Sequence, residues 1–134
     1  MYLKKFENFD NDEIEDAILD FTRGIQDEGF EVSVTSEYKS GIDSGLKKVR
    51  VSISKECPGR QYRPEFKWLD IKSEIFRVKS IIENDYKLNS TMYLIYNGEN
   101  GIMNVTYQPT LDMWLDKFAN LIEIVIRFNP LKSD

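Results

Sequence analysis

The sequence contains no histidine. That absence removes Ser-His-Asp and Cys-His activation of nucleophiles, imidazole acid–base work near neutral pH, and most zinc and iron sites. Cysteine is nearly as scarce: Cys57 stands alone, which excludes an intramolecular disulfide. The 7 glycines are dispersed, and neither G-x-G-x-x-G nor G-x-x-x-x-G-K-[ST] occurs, so no phosphate-cradling loop is encoded and no cofactor is expected. No apolar run approaches the roughly 20 residues that span a bilayer. Residues 1–10 also lack the apolar core of a secretory signal. Together these absences predict a cytoplasmic protein with no membrane partner, in which the Asn-x-Thr triplets at Asn89 and Asn104 are turn and strand residues rather than glycosylation sites.

What is present is a large apolar and aromatic complement. The chain has 134 residues, 41% of them hydrophobic, with 8 Phe, 7 Tyr and 2 Trp, enough to offset the entropy of ordering a single domain over residues 1–134. Residues 1–10 read as a leader in front of it. Ile14, Ala17, Ile18, Phe21 and Ile25 recur at steps of three and four, which predicts an amphipathic helix over 12–28. Asp10 or Asn11 is placed to cap it and Gly29 to end it. The period then changes to two: Phe30, Val32 and Val34, and after a polar loop Val49, Val51 and Ile53, alternate with polar residues as a hairpin would. Trp68, Ile71, Ile75, Val78 and Ile82 form the stripe of a second long helix. Residues 91–96 and 102–107 flank Asn97-Gly98-Glu99-Asn100-Gly101, a hairpin turn signal. Thr110 is placed to cap a short helix carrying Leu111, Trp114, Leu115 and Phe118. Ile122, Ile124, Ile126 and Phe128 then alternate with Glu123, Val125 and Arg127 as a last strand, which Pro130 stops. The order αββαββ(α)β predicts an α+β fold: a mainly antiparallel sheet of about five strands with two long helices on one face. Double-stranded-RNA-binding domains run αβββα instead.

Charge is unevenly spread. Residues 1–45 carry 4 basic and 12 acidic side chains, residues 46–79 carry 10 and 4, and residues 80–134 carry 4 and 7, giving nets of −8, +6 and −3 within a total of −5. Asp12, Asp16 and Asp20 fall at i, i+4 and i+8 on one helix face, with Glu13 and Asp27 nearby. Like charges so spaced cost a helix a few tenths of a kcal/mol each, so the row is either a solvated face or a surface for a basic partner. A hard divalent cation needs oxygens from several elements, and no D-x-D-x-D-G loop is present, so no metal is expected. The complementary feature is Lys47, Lys48, Arg50, Lys55, Arg60, Arg63 and Lys67, interleaved with Tyr62, Phe66 and Trp68. Cations beside exposed aromatics suit single-stranded RNA or DNA, but the first expectation is an intramolecular match to the acidic first helix or plain solubility, since Phe66 and Trp68 run directly into the second helix and read as core. Cys57, with no accompanying base, reads as an ordinary loop cysteine.

The opening Met1-Tyr2-Leu3-Lys4-Lys5-Phe6-Glu7-Asn8-Phe9 resembles the lysine-aromatic leaders of small tailed-bacteriophage proteins. Phe66-x-Trp68-Leu69-Asp70-Ile71-Lys72 is similar to a pattern in uncharacterised phage accessory proteins of this size. In T4-like phages a comparable leader is cleaved after a Glu; here Asn8 follows Glu7 where that site has a small residue. The resemblance implies a non-essential phage product of the kind that binds and inhibits a host enzyme or defence complex, anti-CRISPR proteins being one group. It carries over no site residue. The resulting expectation is a non-enzymatic interaction protein that inhibits a host protein or ribonucleoprotein through its charged faces. Two alternatives stand beside it: a phage virion or packaging-associated structural protein, and a carboxylate-dependent metal nuclease.

Overall fold

The computed structural model describes residues 11–37, 48–56, 64–117 and 121–130. The expected leader, Cys57 and Phe118 lie outside these residues.

The protein is α+β, built on one five-stranded antiparallel sheet in the order β1-β2-β5-β3-β4. The strands are β1 (Phe30–Glu37), β2 (Lys48–Lys55), β3 (Leu88–Gly98), β4 (Gly101–Thr106) and β5 (Leu121–Pro130). The helices are α1 (Asn11–Phe21), α2 (Arg23–Asp27), α3 (Trp68–Tyr86) and α4 (Asp112–Asp116), the last preceded by a 3-10 turn at Pro109–Leu111. None of the described helices is long and apolar enough to cross a membrane.

β1 and β2 form one hairpin, with Val34 opposite Val51. β3 and β4 form the other, closed by Glu99 and Asn100 between the paired glycines Gly98 and Gly101. β2 and β3 do not touch. β5 runs between them, setting Ile126 opposite Val51 on one side and opposite Met92 on the other. Its inner position explains its composition, since Leu121, Ile122, Ile124, Val125, Ile126 and Phe128 are all buried. Where β2 ends, Phe66 continues the pairing: its N–H donates to the Leu121 carbonyl at 2.8 Å and its carbonyl accepts from the Leu121 N–H at 3.1 Å.

One face of this sheet carries Val49, Val51, Ile53, Met92, Leu94, Ile124, Ile126 and Phe128, and every described helix presses its apolar stripe against it. Ile14 and Ile18 come from α1, Ile25 from α2, Trp68, Ile71, Ile75, Val78 and Ile82 from α3, and Leu115 from α4. Both long helices thus lie on one side, as the periodicities require. Phe66 and Trp68, at 5% and 0% exposure, are core rather than stacking platforms.

Three local expectations need correction. The helix over 12–28 is two helices, broken at Thr22. The buried Thr22 hydroxyl donates to the Ile18 carbonyl at 2.7 Å and accepts from the Gln26 side-chain amide at 3.0 Å. A threonine bonding back to the preceding turn in this way bends a helix, and periodicity alone does not register it. Gly29 ends the segment as foreseen, at φ 94°. Thr110 does not cap the short helix; it sits inside the 3-10 turn, and α4 starts at Asp112 with no side-chain cap. Asn11 is already helical rather than a cap preceding the helix, and Asp10 lies outside the described residues.

Candidate interaction faces

The acidic residues sit on the helical side of the molecule. Asp16, Asp20 and Asp27 are exposed, pointing away from the stripe that Ile14, Ile18 and Ile25 bury. Asp20 pairs with Arg23 at 3.0 Å, with both side chains about two-thirds or more exposed (67% and 75%), so the pair contributes little. Glu13 departs from this row. It is half-buried toward α3, where the Tyr86 phenol is pushed up first by burial and then by the charges of Asp85 and Glu13. The side chain of Asp12 lies outside the described residues.

The basic stretch does not form one patch. Lys48 and Arg50 alternate with Val49 and Val51 and therefore project from the other side of the sheet, which no described helix covers. Lys55 stands at the far end of β2, its ammonium 5.7 Å from the centre of the Phe30 ring, and Lys67 is exposed just before α3. Lys47, Arg60, Tyr62 and Arg63 lie outside the described residues.

Arg50 gains a neighbour that the linear order hides. β5 places Arg127 directly opposite it, and the same row runs outward to Thr35 on β1 and Thr91 on β3. The Arg127 guanidinium lies 5.5 Å from the centre of the Tyr93 ring, a cation–π contact. In the next rows Ser52 donates a short hydrogen bond to Glu123. The Arg50 Nε and the Asn129 Oδ1 are buried without a hydrogen-bond partner. Two like charges directly opposed across strands destabilise a sheet, and a buried N–H of a guanidinium without an acceptor adds to that cost. Arg127 and Tyr93 are absent from the sequence-derived candidates because their meeting with Arg50 depends on strand order. The one local signal was Arg127 in the polar phase of the β5 alternation.

A second polar cluster joins α3 to α4. The indole of Trp68 donates to Asp112 Oδ1 at 3.1 Å, the Tyr107 hydroxyl donates to the same oxygen at 3.3 Å, and Lys72 donates to Asp112 Oδ2 at 3.0 Å and to Asp116 Oδ1 at 2.7 Å. The indole bond, then the Lys72 ammonium, hold the Asp112 carboxyl below its ordinary value. The hydrogen bonds to Asp116 and Asp112 raise Lys72, and burial followed by the Asp112 charge raises Tyr107. These four hydrogen bonds make the cluster a clamp between α3 and α4.

Among the described residues no group of three or more cysteines and carboxylates comes together to hold a metal ion. Comparison with protein-family models, with curated proteins and with solved structures finds no match.

Proposed function

We propose that this protein is a non-enzymatic interaction protein, phage-encoded, that binds and inhibits a host protein or ribonucleoprotein. The observation that carries this reading is the arginine pair on the sheet face that no described helix covers. Arg50 and Arg127 oppose each other there beside Thr35 and Thr91, while Glu37 faces Lys48 and Glu123 accepts from Ser52 on the same face; the exposed Asp16, Asp20 and Asp27 lie on the helical side. A five-stranded sheet stands between those aspartates and the arginine pair, so neither is spent neutralising the other. Charges kept apart at a cost to the fold suit recognition, and such fields steer association. The working surface is the sheet face: an arginine pair, one member laid on a tyrosine ring, among hydroxyl and amide side chains and the carboxylates of Glu37 and Glu123. That chemistry fits an anionic partner surface, whether the acidic side chains of a protein or the phosphates of a ribonucleoprotein.

Affinity capture from bacterial lysate, at low and moderate salt and with and without ribonuclease, tests the reading. The expected result is a stoichiometric partner that the wild type retains and Arg50→Glu loses. No stoichiometric protein or RNA at either salt, or equal retention by Arg50→Glu, overturns it.

A further inference from the structure

Exposed apolar surface is concentrated at one edge of the molecule. Of six large hydrophobic side chains exposed among the described residues, four belong to β4 and α4: Ile102 (62%), Met103 (48%), Met113 (78%) and Trp114 (43%). β4 is an edge strand that pairs only with β3 within the described sheet. Its outer main-chain groups form an open hydrogen-bonding ladder. Natural edges are normally guarded by charge, proline or a bulge. The opposite edge, β1, carries Glu31 and Glu37, whereas β4, Gly101-Ile102-Met103-Asn104-Val105-Thr106, contains no charge and no proline.

The side chains beside this ladder form one continuous surface. Met103 is opposite Tyr96, and its Cγ lies over Gly98, 2.8 Å from where a Cβ there would stand. The Tyr96 ring meets Trp114 edge-on at 5.8 Å. Met103, Tyr96 and Trp114 therefore line the helical side of the edge, and Met113 precedes Trp114 in α4.

We infer that β4 pairs with β4 of a second copy of this chain, antiparallel, so that two five-stranded sheets join into one. The edge is self-complementary in two respects. An uncharged strand meets itself with no like charges opposed, which the Glu-bearing β1 edge does not. A two-fold axis normal to the sheet at Met103 sets Met103 against Met103 of the second copy, Ile102 against Asn104 and Gly101 against Val105. In each pair both residues lie on the same face, as antiparallel pairing demands. The same axis brings both Trp114 surfaces to one side. Strand pairing alone buries little of the roughly 800 Å² per partner of a stable dimer, and the adjoining Met103 and Trp114 side chains add apolar area to it. This inference is independent of which partner the sheet face takes.

Sedimentation velocity of the full chain at about 100 μM, well above a micromolar Kd, should give twice the 15.8 kDa chain mass. Met103→Lys opposes two ammonium groups at the axis and should raise the dissociation constant at least about tenfold. Leu69→Lys, at a side chain 53% exposed on α3, should leave it unchanged. Hydrogen exchange of the wild type supplies a readout free of folding artefacts: β4 amides not bonded to β3 should gain protection as concentration rises. A monomer at the highest concentration, a dimer indifferent to Met103→Lys, or β4 protection independent of concentration overturns the inference.

Discussion

Replacing Asp112 by alanine tests whether one carboxylate holds α4 to α3. The Trp68 side chain is 0% exposed, and removing Asp112 takes away the acceptor that its indole N–H reaches at 3.1 Å. An orphaned buried donor of this kind costs about 1 to 3 kcal/mol. Lys72 loses one partner but keeps Asp116 at 2.7 Å, which limits the ionic part of the loss. The loss is about 1 to 3 kcal/mol, or a fall in Tm of about 4 to 11 °C for a chain of this size. Asp112→Asn keeps an acceptor for the indole and removes only the charge, for a loss of about 1 kcal/mol. The pH dependence follows from the sign of the shift. Because the folded Asp112 carboxyl is held below its usual value by the indole bond and Lys72, its contribution is present above about pH 4 and is lost as pH falls through the depressed value. The gap between wild type and Asp112→Asn should therefore narrow on acidification. Urea denaturation followed by tryptophan fluorescence and far-ultraviolet circular dichroism, at neutral and acid pH, measures both effects. A loss below about 0.5 kcal/mol for Asp112→Ala, the range of an ordinary surface change, refutes the clamp, as does a gap that does not move with pH.

Three further outcomes can be checked by the same denaturation experiments. Thr22→Val keeps the shape of a buried side chain but deletes the hydroxyl that donates to Ile18 at 2.7 Å, and should cost about 1 kcal/mol. Lys87 ends α3 in the left-handed region at φ 54°. Relieving about 1 kcal/mol of that strain with Lys87→Gly, against about 0.5 kcal/mol of added unfolded-state freedom, should stabilise by about 0.5 kcal/mol. Arg50→Thr removes one of two opposed cations and should leave stability unchanged or raise it by a few tenths of a kcal/mol, while weakening partner capture in a salt-dependent manner. A destabilisation above about 1 kcal/mol would place Arg50 in the scaffold instead.

The elements were legible because their periods are. The steps of three and four in Ile71, Ile75, Val78 and Ile82 mark the buried stripe of α3, and the alternation through Val49, Val51 and Ile53 marks the covered face of β2. Strand order was not legible, because nothing local in residues 121–130 distinguishes an inner strand from an edge strand except the extra burial of Val125, which the alternation had assigned to the polar phase. The acidic row was visible as a helix spacing. The arginine pair was not, since Arg50 and Arg127 meet only through β2–β5 pairing. Trp114, grouped by spacing with the apolar residues of a short helix, is 43% exposed, because a helix of five residues has room to bury Leu115 but not both.

The position of β5 also sets when the sheet can be completed during synthesis. Of the five described strands it leaves a ribosome after the other four, and both hairpins require it. Until it arrives, β1–β2 and β3–β4 share no strand, and the inner edges of β2 and β3 are open templates for any other chain. The joining contacts, such as Val49 with Phe128, are distant in sequence, and closures of that kind are slow. A nascent chain thus carries two unfinished half-sheets, and its exposure to misassembly depends on how soon the ten residues of β5 reach the gap between them.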